Sequence, residues 1–279
     1  MIIRCWGARG SIPVSGSEYL KYGGDTTCIE IRTKGNDVIL IDAGSGIRRL
    51  GNQLMAEGVN SFTMIFTHAH WDHLMGFPFF KPIYFPKITI AMYGCSYAQS
   101  SLKEIISRVM EPPHFPVNFG DIRAEILYHE ACVEEFRINS VTIRTIPISH
   151  PNQGEGFKFE EDGKTFVFLT DNELMYRHPG GCDFEDYVSF SRGADLLIHD
   201  AEYTETDYLR TRAWGHSVYT DALNLAMEAG VQRLGLFHHN QERSDDQVDA
   251  IVQDCRRLIK REGRKMDCFA LHQNMEIKI

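Results

Sequence analysis

Short apolar runs recur along the chain, and each one stops abruptly at polar residues. Runs of this length are typical of strands buried on both faces, although a segment of buried helix would show the same pattern. If they are strands, the polar residues that follow them gather at one sheet edge. The runs are 38–41 before Asp42, 62–66 before Thr67 and His68, 166–169 before Thr170 and Asp171, 196–198 before His199 and Asp200, and 234–237 before His238 and His239.

Helical patterns lie between these runs. The clearest begins at Ser244, where Gln247 completes a capping box, and its apolar positions recur at helical spacing until Gly263. A second helix is predicted over 220–229, and it ends at Gly230. Strands and helices in this order predict a layered α/β domain.

The stretch 76–120 carries several prolines among aromatic residues. We expect an irregular cap beside the polar edge, with one helix near 101–110. The alternative is a surface excursion that packs for stability alone. No repeat, low-complexity tract or flexible linker divides the chain, so its 279 residues predict a single domain over 1–279.

Bulk composition narrows the class of protein. A formal net charge of −9 disfavours binding of long nucleic acid, and seven scattered cysteines without a C-x-x-C pair favour a reducing cytoplasm. No apolar run reaches the roughly 18 residues of a membrane span, and no export signal is recognisable. We therefore expect a cytoplasmic protein. A small anionic substrate fits this charge, because bound metal ions make a local pocket positive.

The densest chemical signal is the H-x-H-x-D-H cluster formed by His68, His70, Asp72 and His73. Alternate residues of an extended segment point the same way, so His68 and His70 are expected to reach one metal ion. Asp72 and His73, on the following turn, are expected to reach a second ion. A loop of hydrogen-bonded polar residues is the weaker alternative.

Two metal shells need more ligands than this cluster supplies. His150, Asp171 and His238 each follow an apolar run and are the candidates. Taken singly, each has another explanation, since such a histidine is often a hydrogen-bonded core residue and such an aspartate often caps a helix. His239 competes directly with His238, which we prefer because it immediately follows the run.

The order of these motifs resembles the metallo-β-lactamase superfamily, especially its ribonuclease Z and cyclic-nucleotide phosphodiesterase branch. The resemblance runs along most of the chain. It includes 6–13, 22–28, 41–44, the histidine cluster, 149–151, 169–171 and 237–239.

By this resemblance, the fold is an α/β four-layer αββα sandwich, and two divalent ions form a binuclear centre. His68, His70 and His150 bind the first ion, Asp72, His73 and His238 bind the second, and Asp171 bridges them. The histidine-rich set without thiolates suits zinc, with manganese or iron as alternatives. A pair of ions about 3.5 to 4 Å apart makes hydroxide at neutral pH, which predicts a hydrolase.

A phosphodiester expels an alkoxide and benefits from a general acid, whereas a lactone or a thioester depends on one much less. The segments around Asp200 and His216 look like the paired H-E-A-T and H-S-T motifs of ribonuclease Z, with Asp200 in place of Glu and Glu202 in place of Thr. We predict Asp72, Asp200 and His216 as catalytic residues, with Asp200 orienting His216, which serves as proton donor or phosphate contact. Capping of a helix and a loop is the alternative for His216 and Asp200.

Ribonuclease Z enzymes carry a long RNA-gripping arm, in the usual bacterial form between the positions that match His150 and Asp171. These residues are only 21 positions apart here, and 152–164 is expected to be a loop or hairpin. A small phosphodiester such as a cyclic nucleotide is therefore favoured over transfer RNA. The alternatives are a lactone, ester or thioester hydrolase and a non-catalytic metal sensor. The resemblance also suggests a homodimer.

Overall fold

The computed structural model describes residues 1–95, 101–130 and 133–279. Within these ranges the strands form two seven-stranded sheets. One sheet has the order β14-β1-β2-β3-β4-β5-β6 and contains β1 (Ile2–Gly7), β2 (Cys28–Arg32), β3 (Val38–Ile41), β4 (Ser61–Ile65), β5 (Thr89–Gly94), β6 (Glu125–Glu130) and β14 (Glu276–Lys278). The other has the order β13-β12-β11-β10-β9-β8-β7 and contains β7 (Glu135–Ile138), β8 (Val141–Pro147), β9 (Glu155–Glu161), β10 (Lys164–Leu169), β11 (Leu196–Asp200), β12 (Arg233–Phe237) and β13 (Asp267–Ala270).

The three helices that the sequence predicts begin and end close to the expected positions, as α3 (Leu102–Arg108), α6 (Tyr219–Ala229) and α7 (Asp245–Arg261). The N–H of Ser244 donates to Gln247 Oε1 at 2.9 Å, which completes the expected capping box, and Gly230 ends its helix in the left-handed conformation. The α-helices are α1 (Ile47–Glu57), α2 (Trp71–Leu74), α3 (Leu102–Arg108), α4 (Phe184–Ser191), α5 (Glu205–Thr211), α6 (Tyr219–Ala229) and α7 (Asp245–Arg261), and 3-10 turns cover Ser17–Tyr19, Phe77–Phe79, Lys81–Tyr84 and Phe119–Asp121.

The two sheets pack face to face through their apolar side chains. Ile39 and Ile65 from one sheet join Phe159, Phe166 and Phe168 from the other in a fully buried cluster. Helix α1 covers the outer face of the first sheet, and α6 and α7 cover that of the second. Burial of these apolar faces holds the layers together. The fold is thus the expected four-layer αββα sandwich.

Parallel pairing determines where the chemistry collects. Strands β3 to β6 run parallel to one another, as do β10 to β13. The carboxyl ends of parallel strands meet at one sheet edge. The apolar runs predicted as strands are therefore confirmed, and the polar residues that follow them lie at these edges.

The stretch 76–120 differs from the expected cap. Strand β5 lies inside the sheet between β4 and β6, and Phe77, Phe80 and Ile83 are buried in the core. The prediction of an irregular cap is wrong for these parts, because prolines and aromatic residues hid a strand pattern. Helix α3 is where one helix was expected, and residues 96–100 lie outside the described ranges.

Strands β9 and β10 form a tight hairpin, with Glu161 paired to Lys164. Asp162 and Gly163 at the turn both have positive φ. The expected loop or hairpin over 152–164 is confirmed.

Five cysteines of the described part are free, whereas Cys95 is disulfide-bonded. The structure therefore does not keep all of its cysteines reduced. Among the described residues, no helix is long and apolar enough to cross a membrane.

Candidate metal centre

The histidine cluster follows β4 as an extended segment and continues into α2. His70 is extended and precedes the first helical residue, Trp71. The N–H and hydroxyl of Thr67 both donate to the buried carboxylate of Asp42, at 2.8 Å each. These two hydrogen bonds fix the segment, and the ring nitrogens of its histidines face the sheet edge.

The structure brings together His68, His70 and His150, which we predicted as ligands of the first ion and call the first donor set. The Nδ1 of His70 lies 2.9 Å from the Nε2 of His150. The His68 ring centroid lies 4.6 Å from that of His70 and 4.8 Å from that of His150. One ligand atom of each residue thus faces a common point.

The structure also brings together Asp72, His73, Asp171 and His238, which we call the second donor set. The Nε2 of His238 lies 3.0 Å from Asp72 Oδ2 and 3.3 Å from Asp171 Oδ1. Asp171 also lies 3.3 Å from His73 Nε2 and 3.7 Å from His68 Nε2. Asp171 therefore stands between the two sets, where a bridging ligand must be.

The donor chemistry fits divalent cations. The Nε2 atoms of His68 and His73 are buried and have no hydrogen-bond partner within the described residues. Burial lowers the pKa of His68 well below its usual value and that of His150 to about 3, which keeps both imidazoles neutral. A neutral imidazole is the form that binds metal.

The two aspartates supply the negative charge of the centre. Burial raises the pKa of Asp72 and Asp171, but the neighbouring histidines outweigh it and hold both values well below the usual range. The neutral imidazoles of the first set and these ionised carboxylates are donor types that divalent metal ions take.

Two histidines of the second set are oriented by carboxylates. His73 Nδ1 lies 2.7 Å from Asp42 Oδ2, and His238 Nδ1 lies 2.8 Å from Glu202 Oε2. Asp42 and Glu202 thus hold these two rings from the side opposite Nε2. Because Nδ1 is engaged, Nε2 of each ring is left for a metal ion.

Neutral groups orient two histidines of the first set. His150 Nδ1 lies 2.8 Å from the carbonyl oxygen of Gly215, and His68 Nδ1 lies 3.1 Å from Thr67 Oγ1. Gly215 has φ +97°, and a Cβ there would lie 2.1 Å from His150 Nδ1. Only glycine fits this approach.

The structure separates His238 from its neighbour His239. His239 Nε2 lies 2.8 Å from the carbonyl oxygen of Leu271, and its ring contacts Tyr22. It is therefore turned away from the donor sets, as our preference for His238 requires. A Cβ at Gly10 would lie 2.3 Å from His238 Nδ1, so the glycine leaves room for that ring.

The predicted catalytic pair lies against the second set. His216 Nδ1 is 3.1 Å from Asp200 Oδ2 and 3.8 Å from Asp171 Oδ1. Burial lowers the pKa of His216, but the charge of Glu202 and the hydrogen bond to Asp200 outweigh it and raise the pKa to about 9. The acidic neighbours of His216 thus favour its protonated imidazole, and Asp200 holds the ring beside the donor sets.

Glu202 is a site residue that the sequence reasoning missed. It is buried, and its Oε2 lies close to both His238 and His216. The signal was present, because Glu202 follows Asp200 by two residues at the end of β11 and alternate residues of an extended segment share a side.

Comparison with known proteins identifies the family of the chain. Residues 37–239 match the family described as the beta-lactamase superfamily domain. The chain is 23% identical over 296 residues to a ribonuclease Z of Haloarcula marismortui, covering 90% of this chain and 89% of the relative.

Solved structures show the same fold. A diphosphatase from the PhnP family is 15% identical, with a TM-score of 0.70 and coverage of 100% of this chain and 97% of the other. Yeast PDE1 is 12% identical, with a TM-score of 0.71 and coverage of 100% and 99%. The matched family spans the histidine cluster, Asp171 and His238, and the chain therefore belongs to the β-lactamase superfamily, with the metallo-β-lactamase fold of a metal-dependent hydrolase.

Proposed function

We propose that this protein is a binuclear metal-dependent phosphodiesterase that acts on a small phosphodiester such as a cyclic nucleotide. The observation that carries the proposal is the pair of donor sets that share Asp171, with His216 and Asp200 beside them. The proposed cofactor is two divalent ions, zinc by the donor set, bound by His68, His70, Asp72, His73, His150, Asp171 and His238.

When bound, such ions supply Lewis acidity and lower the pKa of water at the site. The residues of the chain then determine the outcome. Asp200 holds His216 through Nδ1, which leaves Nε2 of that ring to give its proton to a departing alkoxide. Such a proton donor serves a phosphodiester more than a lactone or thioester.

The surroundings favour a small anionic substrate over long RNA. The β9–β10 hairpin stands where an RNA-gripping arm would be, and the net charge is −9. Trp71 follows His70 directly and is 65% exposed, while Trp214 precedes Gly215 and is 62% exposed. Exposed indoles on residues that adjoin His70 and Gly215 in sequence are suited to stack on a nucleobase.

Ribonuclease Z activity is the second candidate, because the curated relative carries that name. It requires binding of precursor transfer RNA, which the acidic chain is poorly suited to hold. Cleavage of a precursor transfer RNA at rates above those on cyclic nucleotides would favour this candidate over ours.

The test is hydrolysis by protein reconstituted with zinc or manganese. The substrates are bis(p-nitrophenyl) phosphate, cyclic nucleotides, precursor transfer RNA, a lactone and a thioester, and Asp171→Ala is the control. We expect phosphodiester turnover that the control loses. Turnover of the lactone or thioester alone would overturn the phosphodiesterase assignment and keep the metal centre. Absence of all turnover in metal-loaded protein would favour a sensor.

A further inference from the structure

Glu202 stands where the resembled motif of ribonuclease Z has a threonine. Its side chain lies between two imidazoles: Oε2 is 2.8 Å from His238 Nδ1 and 3.5 Å from His216 Nδ1. The His216 and His238 rings stack with centroids 4.7 Å apart and an interplanar angle of 18°. The carboxylate therefore borders a metal-facing ring and the proton-donating ring at once.

The position of Glu202 is fixed from two further sides. Asn240 donates from Nδ2 to the other carboxylate oxygen, Oε1, at 2.9 Å. Arg243 donates to the backbone carbonyl of Glu202 at 3.0 Å. The residue is only 2% exposed. A buried carboxylate held in this way presents Oε2 to the two rings in one orientation.

We propose that Glu202 is a positioning residue of the second donor set, acting through His238. It accepts the Nδ1–H of His238 and so directs Nε2 of that ring toward the ion, as Asp42 does for His73. Partners of this kind raise the basicity of the ligand, and their loss lowers metal affinity by about 10- to 100-fold. The inference rests on the metal centre of the proposed function and is independent of its substrate.

The experiment titrates Zn²⁺ into metal-free protein by calorimetry, with stoichiometry checked by elemental analysis. Glu202→Gln keeps the size of the side chain and removes its charge. We expect affinity for one ion to fall by about 10- to 100-fold while the other binding step is unchanged. His70→Ala, which alters the first donor set alone, identifies which step belongs to which set.

The matched control is Glu205→Gln. Glu205 lies on the same segment, is exposed and hydrogen-bonds Thr220 at the surface, so both binding steps should stay as in the unaltered protein. Two unchanged steps in folded Glu202→Gln would overturn the inference. A loss of affinity in Glu202→Gln that is confined to the binding step removed by His70→Ala would overturn the inference as well.

If Glu202→Gln does not fold, Asn240→Ala tests the same contact, because it frees Oε1 while keeping the carboxylate. A smaller fall in affinity at the second set supports the inference, and no fall overturns it. Metal titration needs no substrate. An inactive but metal-binding protein would thus defeat the phosphodiesterase proposal without touching this one.

Discussion

The two donor sets differ in what lies behind their histidines. In the first set, His68 and His150 contact a hydroxyl and a backbone carbonyl, both neutral. In the second set, His73 and His238 contact the carboxylates of Asp42 and Glu202. The imidazoles of the first set therefore have neutral hydrogen-bond partners, whereas those of the second set have negatively charged partners.

The pKa values of the histidines show the consequence. Burial lowers the pKa of His68 and His150 in the first set. Burial also acts on His73 and His238, but the charge of Asp171 and the other nearby carboxylates outweighs it and raises the pKa of both. The second set thus attracts positive charge more strongly. We expect it to bind its ion more tightly than the first.

The largest effect is expected where the two sets join. Asp171→Ala removes the carboxylate that lies between them and should weaken binding of both ions. Loss of several kcal/mol of Lewis-acid stabilisation corresponds to a rate loss on the order of 10³-fold. Elemental analysis and phosphodiester turnover measure both effects, with His70→Ala as the comparison that affects the first set alone. Full metal content in Asp171→Ala would refute a shared ligand.

Replacement of His216 tests a residue that contacts the second set without belonging to either predicted shell. His216→Ala should slow hydrolysis of a cyclic nucleotide by about 10²-fold and leave metal content unchanged, since general acids contribute rate enhancements of that order. Hydrolysis of bis(p-nitrophenyl) phosphate should fall less, because p-nitrophenolate leaves without a proton. Equal losses on both substrates would contradict the proposed acid.

The pH profile sharpens the same prediction. The proton donor must be protonated, and the pKa of His216 is raised to about 9. The rate on an alkoxide-leaving substrate should therefore fall as pH rises through about 9, and this fall should be absent in His216→Ala. An unchanged profile in the variant would assign the alkaline limb to another group.

Replacement of Asp42 addresses the contrast between the sets directly. Asp42→Asn keeps a hydrogen-bond partner near His73 but removes its charge, and should lower affinity for the second ion by about 10- to 100-fold. The first ion should lose less affinity than the second, because Asp42 reaches His68 only through the hydroxyl of Thr67. Calorimetric titration with Zn²⁺ measures both steps. Equal weakening of both would show that the sets do not differ as proposed.

The sequence predicted the positions of the seven donor residues because each depends on a local pattern. His150, Asp171 and His238 could be found at strand ends, since an apolar run followed by a polar residue is visible without the fold. Their assignment to two ions came from the resemblance. The structure adds the distances that bring them together.

Other features depended on contacts distant in sequence. Glu202 meets His238 across 36 positions, and Gly10 makes room for the same ring from the opposite end of the chain. The local pattern places Glu202 on the same side of the segment as Asp200, but it does not tell which distant residues Glu202 and Gly10 contact. Strand β5 was missed for a different reason, because the prolines on either side of it resembled those of an irregular segment.

The smallest effects are expected at the two exposed tryptophans, and they show which set lies nearer the base of a nucleotide. Trp71 leads from His70 into Asp72, whereas Trp214 adjoins the glycine whose carbonyl orients His150. Loss of one stacking contact costs about 1 kcal/mol or more, which is roughly a fivefold rise in KM. Trp71→Ala and Trp214→Ala should each raise KM for a cyclic nucleotide and leave metal content unchanged. A rise confined to Trp214→Ala would place the base beside the first set, and a rise confined to Trp71→Ala would place it where the cluster turns toward the second. Equal KM values in both variants and the unaltered protein would show that neither indole stacks on the base. That result would not affect the proposal for the metal centre.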